Sequence, residues 1–357
     1  NGSRISDRIT PSRCIKRKTA RLMKQTTPLL VDSFGRFHNY LRISLIEKCN
    51  LRCTYCMPRE GIQLSPKSSL MSAEEIVEIA KTFVIHGVDK IRLTGGEPLL
   101  RKDFASILAQ LSTLKASLAL TTNGVLIDRY IDDLKRARLQ KINFSLDTLD
   151  ADKFNTITLR SQFKKVRENL DLVIREGFET KINAVLLKGE NEDEIIRFIE
   201  FTEKHNVNIR FIEFMPFQGN SWDQSKTVSY TEVMKRVHAH FGIEKVLRLE
   251  DAPNDTAKNY CIKGFTGSFA VISTVTNPFC DSCNRIRLTA NGKLRNCLFS
   301  DKEQDLLTAI RAGESIEPIV QRALKLKKAV RAGLDSPETF DNYHNHQTNR
   351  SMIKIGG

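Results

Sequence analysis

The sequence has no apolar run longer than a few residues, far short of the roughly 20 needed to cross a bilayer, which excludes transmembrane helices. Its first residues carry charge but no apolar h-region, so no secretory signal is read there. The GxxxxGK[ST] phosphate loop is absent, so a bound nucleotide has to be held by side chains. Cysteine is sparse: eight residues in 357 are too few for a secreted disulfide scaffold. No short-period repeat is visible. Negative charge is also short, with 42 Asp and Glu against 56 Lys and Arg, a formal charge of +14.

What is present is ordinary globular material, 40% hydrophobic and 27% charged, enough to build a core. Disorder of the whole chain is thereby excluded. The length fits two or three domains, or one large α/β unit with an extension. The positive excess points to an anionic partner: nucleic acid, a phosphate-bearing small molecule or a membrane surface. Composition does not choose among them. Residues 1–22 hold seven Arg or Lys and one Asp, so +6 of the charge lies there. Residues 1–31 read as a basic, disordered leader, either appended before a natural start at Met23 or left from an organelle transit segment. The expected location is cytoplasmic, or the mitochondrial matrix in the second case.

From about residue 38 strands and helices alternate. Strands are predicted at 40–46, 89–94, 117–121, 140–146, 179–186 and 208–215. Ser72 and Glu75 form a capping box for a helix that buries Ile76, Ile79, Ala80 and Phe83 and stops at Gly87. Another helix is expected from Asn191, with Glu194 three residues on. Six such units imply a parallel sheet. The strands do not read as continuous apolar runs. Arg42 and Ser44 alternate with Leu41, Ile43 and Leu45, and Lys90, Arg92 and Thr94 alternate with Ile91 and Leu93. Asn143 with Ser145, and Lys181 with Asn183, repeat the pattern. Period two puts each polar set on one face. The faces are either solvated sides of an open sheet or the lining of an incomplete barrel around an anion, and four in series favour the barrel. The expected fold is an α/β incomplete (β/α)6 TIM-type barrel over 32–250, with a C-terminal α+β extension over 251–357 covering the barrel mouth.

Six of the cysteines fall into two tight groups, which read as metal ligands in a reducing compartment. Cys49, Cys53 and Cys56 follow the first strand as Cx3CxxC, and no nearby His supplies a fourth ligand. Three thiolates with an open position suit a catalytic metal or a cubane iron–sulfur cluster, with a zinc knuckle or a redox CxxC as alternatives. Cys280, Cys283 and Cys297 again give three thiols. A zinc ribbon would need a fourth, and Cys261 lies far upstream.

Cx3CxxC with Tyr55 before the last cysteine, followed by Thr94-Gly95-Gly96-Glu97-Pro98 after the second strand, resembles the radical S-adenosylmethionine superfamily. The second cysteine group narrows the likeness. Residues 32–357 resemble the GTP 3′,8-cyclase family, the molybdenum cofactor biosynthesis A proteins, through FGRFHNYLRISLIEKCNLRCTYCMP, IRLTGGEPLLR, TTNG, INFSLD, IRFIEFMP and the terminal Gly-Gly. The resemblance implies two [4Fe–4S] clusters, one on Cys49, Cys53 and Cys56 and one on Cys280, Cys283 and Cys297. It implies S-adenosyl-L-methionine held at Tyr55, Gly96, Ser145 and Met215, and GTP held at Arg42, Lys90, Arg92, Thr121, Lys181, Arg285 and Arg287. It gives Arg285 and Arg287, with the Gly356-Gly357 tail, catalytic roles. It further implies an electron donor, cyclic pyranopterin monophosphate synthase as functional partner, no nucleic-acid or membrane partner, and a monomer or homodimer. Residues 253–260 (PNDTAKNY) depart from the family pattern, which is expected to affect a local loop and not the site.

Overall fold

The computed structural model describes residues 29–356. The leader expectation for 1–28 lies outside them. Leu30, read on sequence as leader, is fully buried, and Val31 bridges Phe37, so the packed fold takes in these residues too.

Strands β1 (Tyr40–Ser44), β2 (Lys90–Thr94), β3 (Ser117–Thr122), β4 (Lys141–Ser145), β5 (Glu179–Leu186) and β6 (Asn208–Glu213) lie side by side in chain order, all parallel. Between them run α1 (Ala73–Ile85), α2 (Phe104–Leu111), α3 (Ile131–Arg136), α4 (Ala151–Thr158), α5 (Phe163–Arg175) and α6 (Ile195–Phe201), with α7 (Tyr230–Phe241) after β6. Helix α1 shows the local logic. Ser72 Oγ accepts from the Glu75 N–H, and Glu75 returns the bond to the Ser72 N–H, so two otherwise orphaned donors are satisfied. Gly87 at φ +106° ends it. Asn191 behaves differently from the expectation. It makes no cap bond for α6. Its side chain instead joins the ends of β4 and β5, donating to Asp147 O and Val185 O and accepting from the Leu187 N–H.

The apolar residues of the alternating strands face the helices, and Leu41, Ile43, Ile91, Leu93, Ile142 and Phe144 are all fully buried there. The remaining strands are β7 (Val246–Arg248), β8 (Lys258–Ile262), β9 (Ser268–Ile272), β10 (Arg285–Leu288), β11 (Lys293–Arg295) and β12 (Gln304–Asp305). Helices α8 (Leu307–Arg311), α9 (Glu317–Lys325), α10 (Pro337–Asp341) and α11 (Met352–Ile355) complete the described residues. Gly264 sits at φ +94° in the turn between β8 and β9.

The expected six-unit barrel is present, and the C-terminal region does more than cover its mouth. β9 pairs in parallel with β6 at one edge, and β10 pairs in parallel with β1 at the other. The parallel array therefore has eight strands within a twelve-stranded sheet ordered β12-β11-β10-β1-β2-β3-β4-β5-β6-β9-β8-β7. Residues 273–284 run from one edge strand to the other and carry Cys280 and Cys283.

Candidate active site

The polar faces of β1–β6 and β10 line one cavity of about 750 Å³, within the range of ligand sites. Register explains how the cations meet. Arg42 lies opposite Arg92 on β2 and opposite Arg287 on β10, while Tyr40 lies opposite Lys90 and Arg285. Parallel neighbours stand roughly 4.8 Å apart, so like charges directly opposite are destabilising. Nine Arg or Lys line the cavity against three Asp or Glu. Burial, together with Arg92 and Arg285, brings Arg42 down to about 10, against the opposing pull of Tyr40. Arg287 is pushed well below its ordinary value by burial and by Arg42 and Arg285. Burial opposes ionisation of Tyr40, yet Arg92, Arg42 and Lys90 lower its pKa to about 7. Arg92 Nε donates to Tyr40 Oη at 2.5 Å, and the Lys90 ammonium lies 4.6 Å from the centre of the Tyr40 ring. A fold that accepts this repulsion is arranged for an anion.

At the C-terminal ends of the strands, Cys49, Cys53 and Cys56 open into the cavity from the loop after β1. That loop is pinned to the end of α4 by Arg52 N–H to Thr158 O at 2.9 Å and Thr54 N–H to Ile157 O at 3.0 Å. The loop after β2 presses on the same segment, because the Gly96 N–H donates to Ile46 O and the Glu97 N–H to Lys48 O. Glu97 is buried, and its carboxylate accepts from Leu99 N–H, Thr122 Oγ1 and Asn123 N–H, tying the loops after β2 and β3 together. Asn123 Nδ2 then reaches Asn50 Oδ1 at 2.7 Å and Cys49 Sγ at 3.7 Å. Tyr55 Oη donates to Asp147 Oδ2 at 2.8 Å, and Asn220 Nδ2 bridges Tyr55 O and Met215 O. Tyr55, Gly96, Ser145 and Met215 all line this end. Burial raises Cys49 to about 11, with Glu97 adding to it, and raises Cys53 and Cys56 further. Iron capture there releases protons.

Cys280, Cys283 and Cys297 open into the same cavity from the opposite end. Tyr40, at the N-terminal end of β1, donates its N–H to Asn284 O at 3.2 Å. The loops that carry the two thiol sets thus lie at opposite ends of β1, a strand roughly 13 Å long at about 3.3 Å per residue. The Arg331 N–H points to Cys280 Sγ at 3.4 Å, and Lys327 Nζ to Cys283 Sγ at 3.7 Å. Burial opposes the Cys283 thiolate, but Lys327 and Arg285 bring its pKa down to about 7. Cys261 lies on β8 and does not line the cavity.

Among the described residues, no three Cys, His, Asp or Glu side chains converge on a single-ion site, and each thiol trio instead opens onto the shared space. The tail enters it as well. Met352 and Ile353 line the cavity, and Arg287 Nη1 donates to Gly356 O at 2.9 Å. Gly356 is buried at φ +82°, and a Cβ there would stand 2.9 Å from Ser44 Cβ. Gly357 lies outside the described residues.

Every other residue singled out on sequence, namely Arg42, Lys90, Arg92, Thr121, Lys181, Arg285 and Arg287, lines this one cavity. Sequence reasoning missed Tyr40, Lys141 and Arg210. Arg210 alternates with Ile209 and Phe211 on β6, so period two would have found it. It also placed residues 253–260 away from the site, whereas Pro253, Asn254, Asp255 and Thr256 line it.

S-adenosylmethionine and an iron–sulfur cluster fit the first end on the structure's own terms. Three free thiols supply the sulfur ligands. Beside Ser145 in the register, Asn183 keeps a buried Oδ1 with no hydrogen-bond partner, an acceptor facing the cavity.

The radical SAM superfamily model matches residues 43–202, and the Molybdenum Cofactor Synthesis C model matches residues 207–332. GTP 3′,8-cyclase, mitochondrial, of Arabidopsis thaliana is 47% identical over 92% of this chain and 84% of its own length. GTP 3′,8-cyclase of Peptoclostridium acidaminophilum is 41% identical, over 92% of this chain and 98% of its own. Molybdenum cofactor biosynthesis protein 1 of Homo sapiens is 46% identical over 88% of this chain, which spans 50% of that protein. The chain likewise spans about half the length of the other animal relatives it matches. Streptococcus suis SuiB bound to S-adenosylmethionine shares the fold, with a TM-score of 0.60 at 17% identity over 82% of this chain and 69% of that one. With identities of this size running through both cysteine sets, the chain belongs to the GTP 3′,8-cyclase family of radical S-adenosylmethionine enzymes.

Proposed function

We propose that the cavity binds GTP and converts it to 3′,8-cyclo-7,8-dihydro-GTP, the first step of molybdenum cofactor biosynthesis. The observation that carries this reading is a cavity with nine cations set between two thiol trios at opposite ends of one barrel. A triphosphate carries about four negative charges, and several Arg and Lys are needed to replace its hydration, Arg with bidentate geometry. Arg42, Lys90, Arg92, Thr121 and Lys181 contact the nucleotide, and Arg210 joins them. Arg285 and Arg287 stand at the guanine end beside Cys280, Cys283 and Cys297, which would hold a second [4Fe–4S] cluster and with it supply a binding point for the base. Arg285 Nη2 is buried with no hydrogen-bond partner, a donor that supports a ligand at this end. Tyr55, Gly96, Ser145 and Met215 hold S-adenosylmethionine at the other end. When bound to the first cluster, that cofactor supplies the radical that removes the ribose 3′ hydrogen. The protein's part is to point the ribose at one end and guanine at the other, and to exclude water. Gly356, with Gly357 beyond it, brings the tail against Arg287 and β1. An electron donor and cyclic pyranopterin monophosphate synthase, which takes the unstable product, act with it. The chain works as a monomer or homodimer. The Arabidopsis relative's name supports the matrix reading of the basic leader.

Iron and sulfide analysis after anaerobic reconstitution is expected to give two clusters, and Cys297→Ser one. GTP should shift the electron paramagnetic resonance signal of the C-terminal cluster. A Cys297→Ser protein with both clusters and full GTP turnover would sink the second-cluster role. A signal indifferent to GTP would favour a peptide or RNA substrate.

A further inference from the structure

Six of the nine cavity cations fall into two groups. Arg92, Arg285 and Arg287, on β2 and β10, have no Asp or Glu ion pair within 4 Å among the described residues. Lys141, Lys181 and Arg210, on β4, β5 and β6, each face a carboxylate. Lys181 Nζ is 3.3 Å from Glu179 Oε1, Lys141 Nζ is 3.9 Å from Glu179 Oε2, and Arg210 Nη2 is 3.9 Å from Asp255 Oδ1. Both carboxylates line the cavity.

Their setting differs from that of the buried acids. The Glu179 side chain is 49% exposed and that of Asp255 19% exposed, so this end of the cavity is open to water. Asp255 lies on the segment between β7 and β8 that departs from the family pattern, next to Asn254 at φ +61°. Its Oδ2 accepts from Asn259 Nδ2 at 3.0 Å, and its Oδ1 accepts from the Thr256 N–H at 2.8 Å and also faces Arg210. Among the described residues, the ionic contacts of the Glu179 carboxylate are with Lys141 and Lys181, both of which line the cavity.

We propose that Glu179 and Asp255 are specificity-determining counter-ions: they neutralise Lys141, Lys181 and Arg210 in the free protein and are displaced by a polyphosphate, so that this part of the cavity opens by ion exchange. This rests on the nucleotide reading above and adds to it. A neutral nucleoside has no charge with which to displace either carboxylate, whereas a triphosphate replaces both. The carboxylates therefore weaken triphosphate binding modestly and suppress occupation by smaller anions more strongly.

The test uses the reconstituted enzyme, with inorganic tripolyphosphate, GTP and guanosine as probes in calorimetric titrations. Exposed ion pairs are worth about 0.2–1 kcal/mol, so Glu179→Gln and Asp255→Asn are each expected to tighten tripolyphosphate and GTP by about two- to five-fold at low salt. The gain should shrink at high salt, and guanosine should be unaffected. Glu179→Gln is the cleaner variant, because Asp255 also orders its own loop. If both variants bind tripolyphosphate as the parent does or more weakly, the counter-ion role is overturned. If tripolyphosphate tightens but neither parent nor variants bind GTP, the counter-ions stand and the nucleotide reading falls. Equal tightening of guanosine would also overturn the proposal, since it would mark a structural effect of the substitutions.

Discussion

Gly96→Ala isolates one close approach on which the first thiol set depends. Gly96 has an ordinary φ, so an alanine there meets no backbone penalty of its own. Its Cβ would stand 2.3 Å from Lys48 O, 2.6 Å from Lys48 C and 2.8 Å from Glu47 O, all of them backbone atoms or bonded to them. Real Cβ contacts do not fall below 3.0 Å, so the two loops must part by most of an ångström. That movement stretches the Gly96 N–H to Ile46 O bond of 2.7 Å and the Glu97 N–H to Lys48 O bond of 2.8 Å. A buried donor left without its acceptor costs about 1–3 kcal/mol, so the pair gives a loss of about 2–6 kcal/mol. At about 2 °C per kcal/mol for a chain of this size, the melting temperature should fall by about 4–12 °C. Cys49 follows Lys48 directly, so iron retained after reconstitution should fall as well. Gly177→Ala is the comparison. It has φ +79° but no atom within 4 Å of the added Cβ, so it should lose only about 1 kcal/mol. Heating scans at one rate and iron per chain decide the matter. A Gly96→Ala protein that melts with the parent and keeps all its iron, or that outlasts Gly177→Ala, would refute the reasoning.

Two further outcomes follow from the same site. Burial raises Glu97 from 4.5 to about 7, against the three hydrogen bonds it accepts. The folded state therefore holds this proton longer than the unfolded chain, and stability falls as pH rises from about 4.5 to 7, by about 3 kcal/mol at 1.36 kcal/mol per unit. Urea midpoints at pH 5 and pH 8 should differ less in Glu97→Gln than in the parent, and equal differences would remove Glu97 as the source. Arg287→Ala deletes the charged bond to Gly356 O, worth about 1.5–3 kcal/mol, so kcat/KM for GTP should drop by about 10- to 100-fold. The same change relieves repulsion with Arg42 and Arg285, which offsets the lost bond, so the melting temperature should move little, and a lower melting temperature with unchanged kcat/KM would contradict the assignment.

The repeating unit and the lining of the barrel are legible in the residues alone. Alternation at Arg42, Ser44, Lys90, Arg92, Thr94, Asn143, Ser145, Lys181 and Asn183 is local information, because a strand's period of two fixes which side chains share a face whatever the strand pairs with. The two thiol trios were legible for the same reason, through short spacings and a strand end. Tyr40 was not, since nothing local says that an aromatic at the start of a strand will lie among three cations. Where the C-terminal region goes was not legible and comes from long-range pairing. β10 pairs with β1 across more than 240 residues, and β9 closes on β6. Those pairings put Cys280 and Cys283 at the end of the barrel opposite Cys49, align Arg287 with Arg42, and bring Asp255 beside Arg210. Long-range register leaves no short-range pattern in a single sequence. The fold sets it by which edge strands can bury their apolar face beside which neighbours.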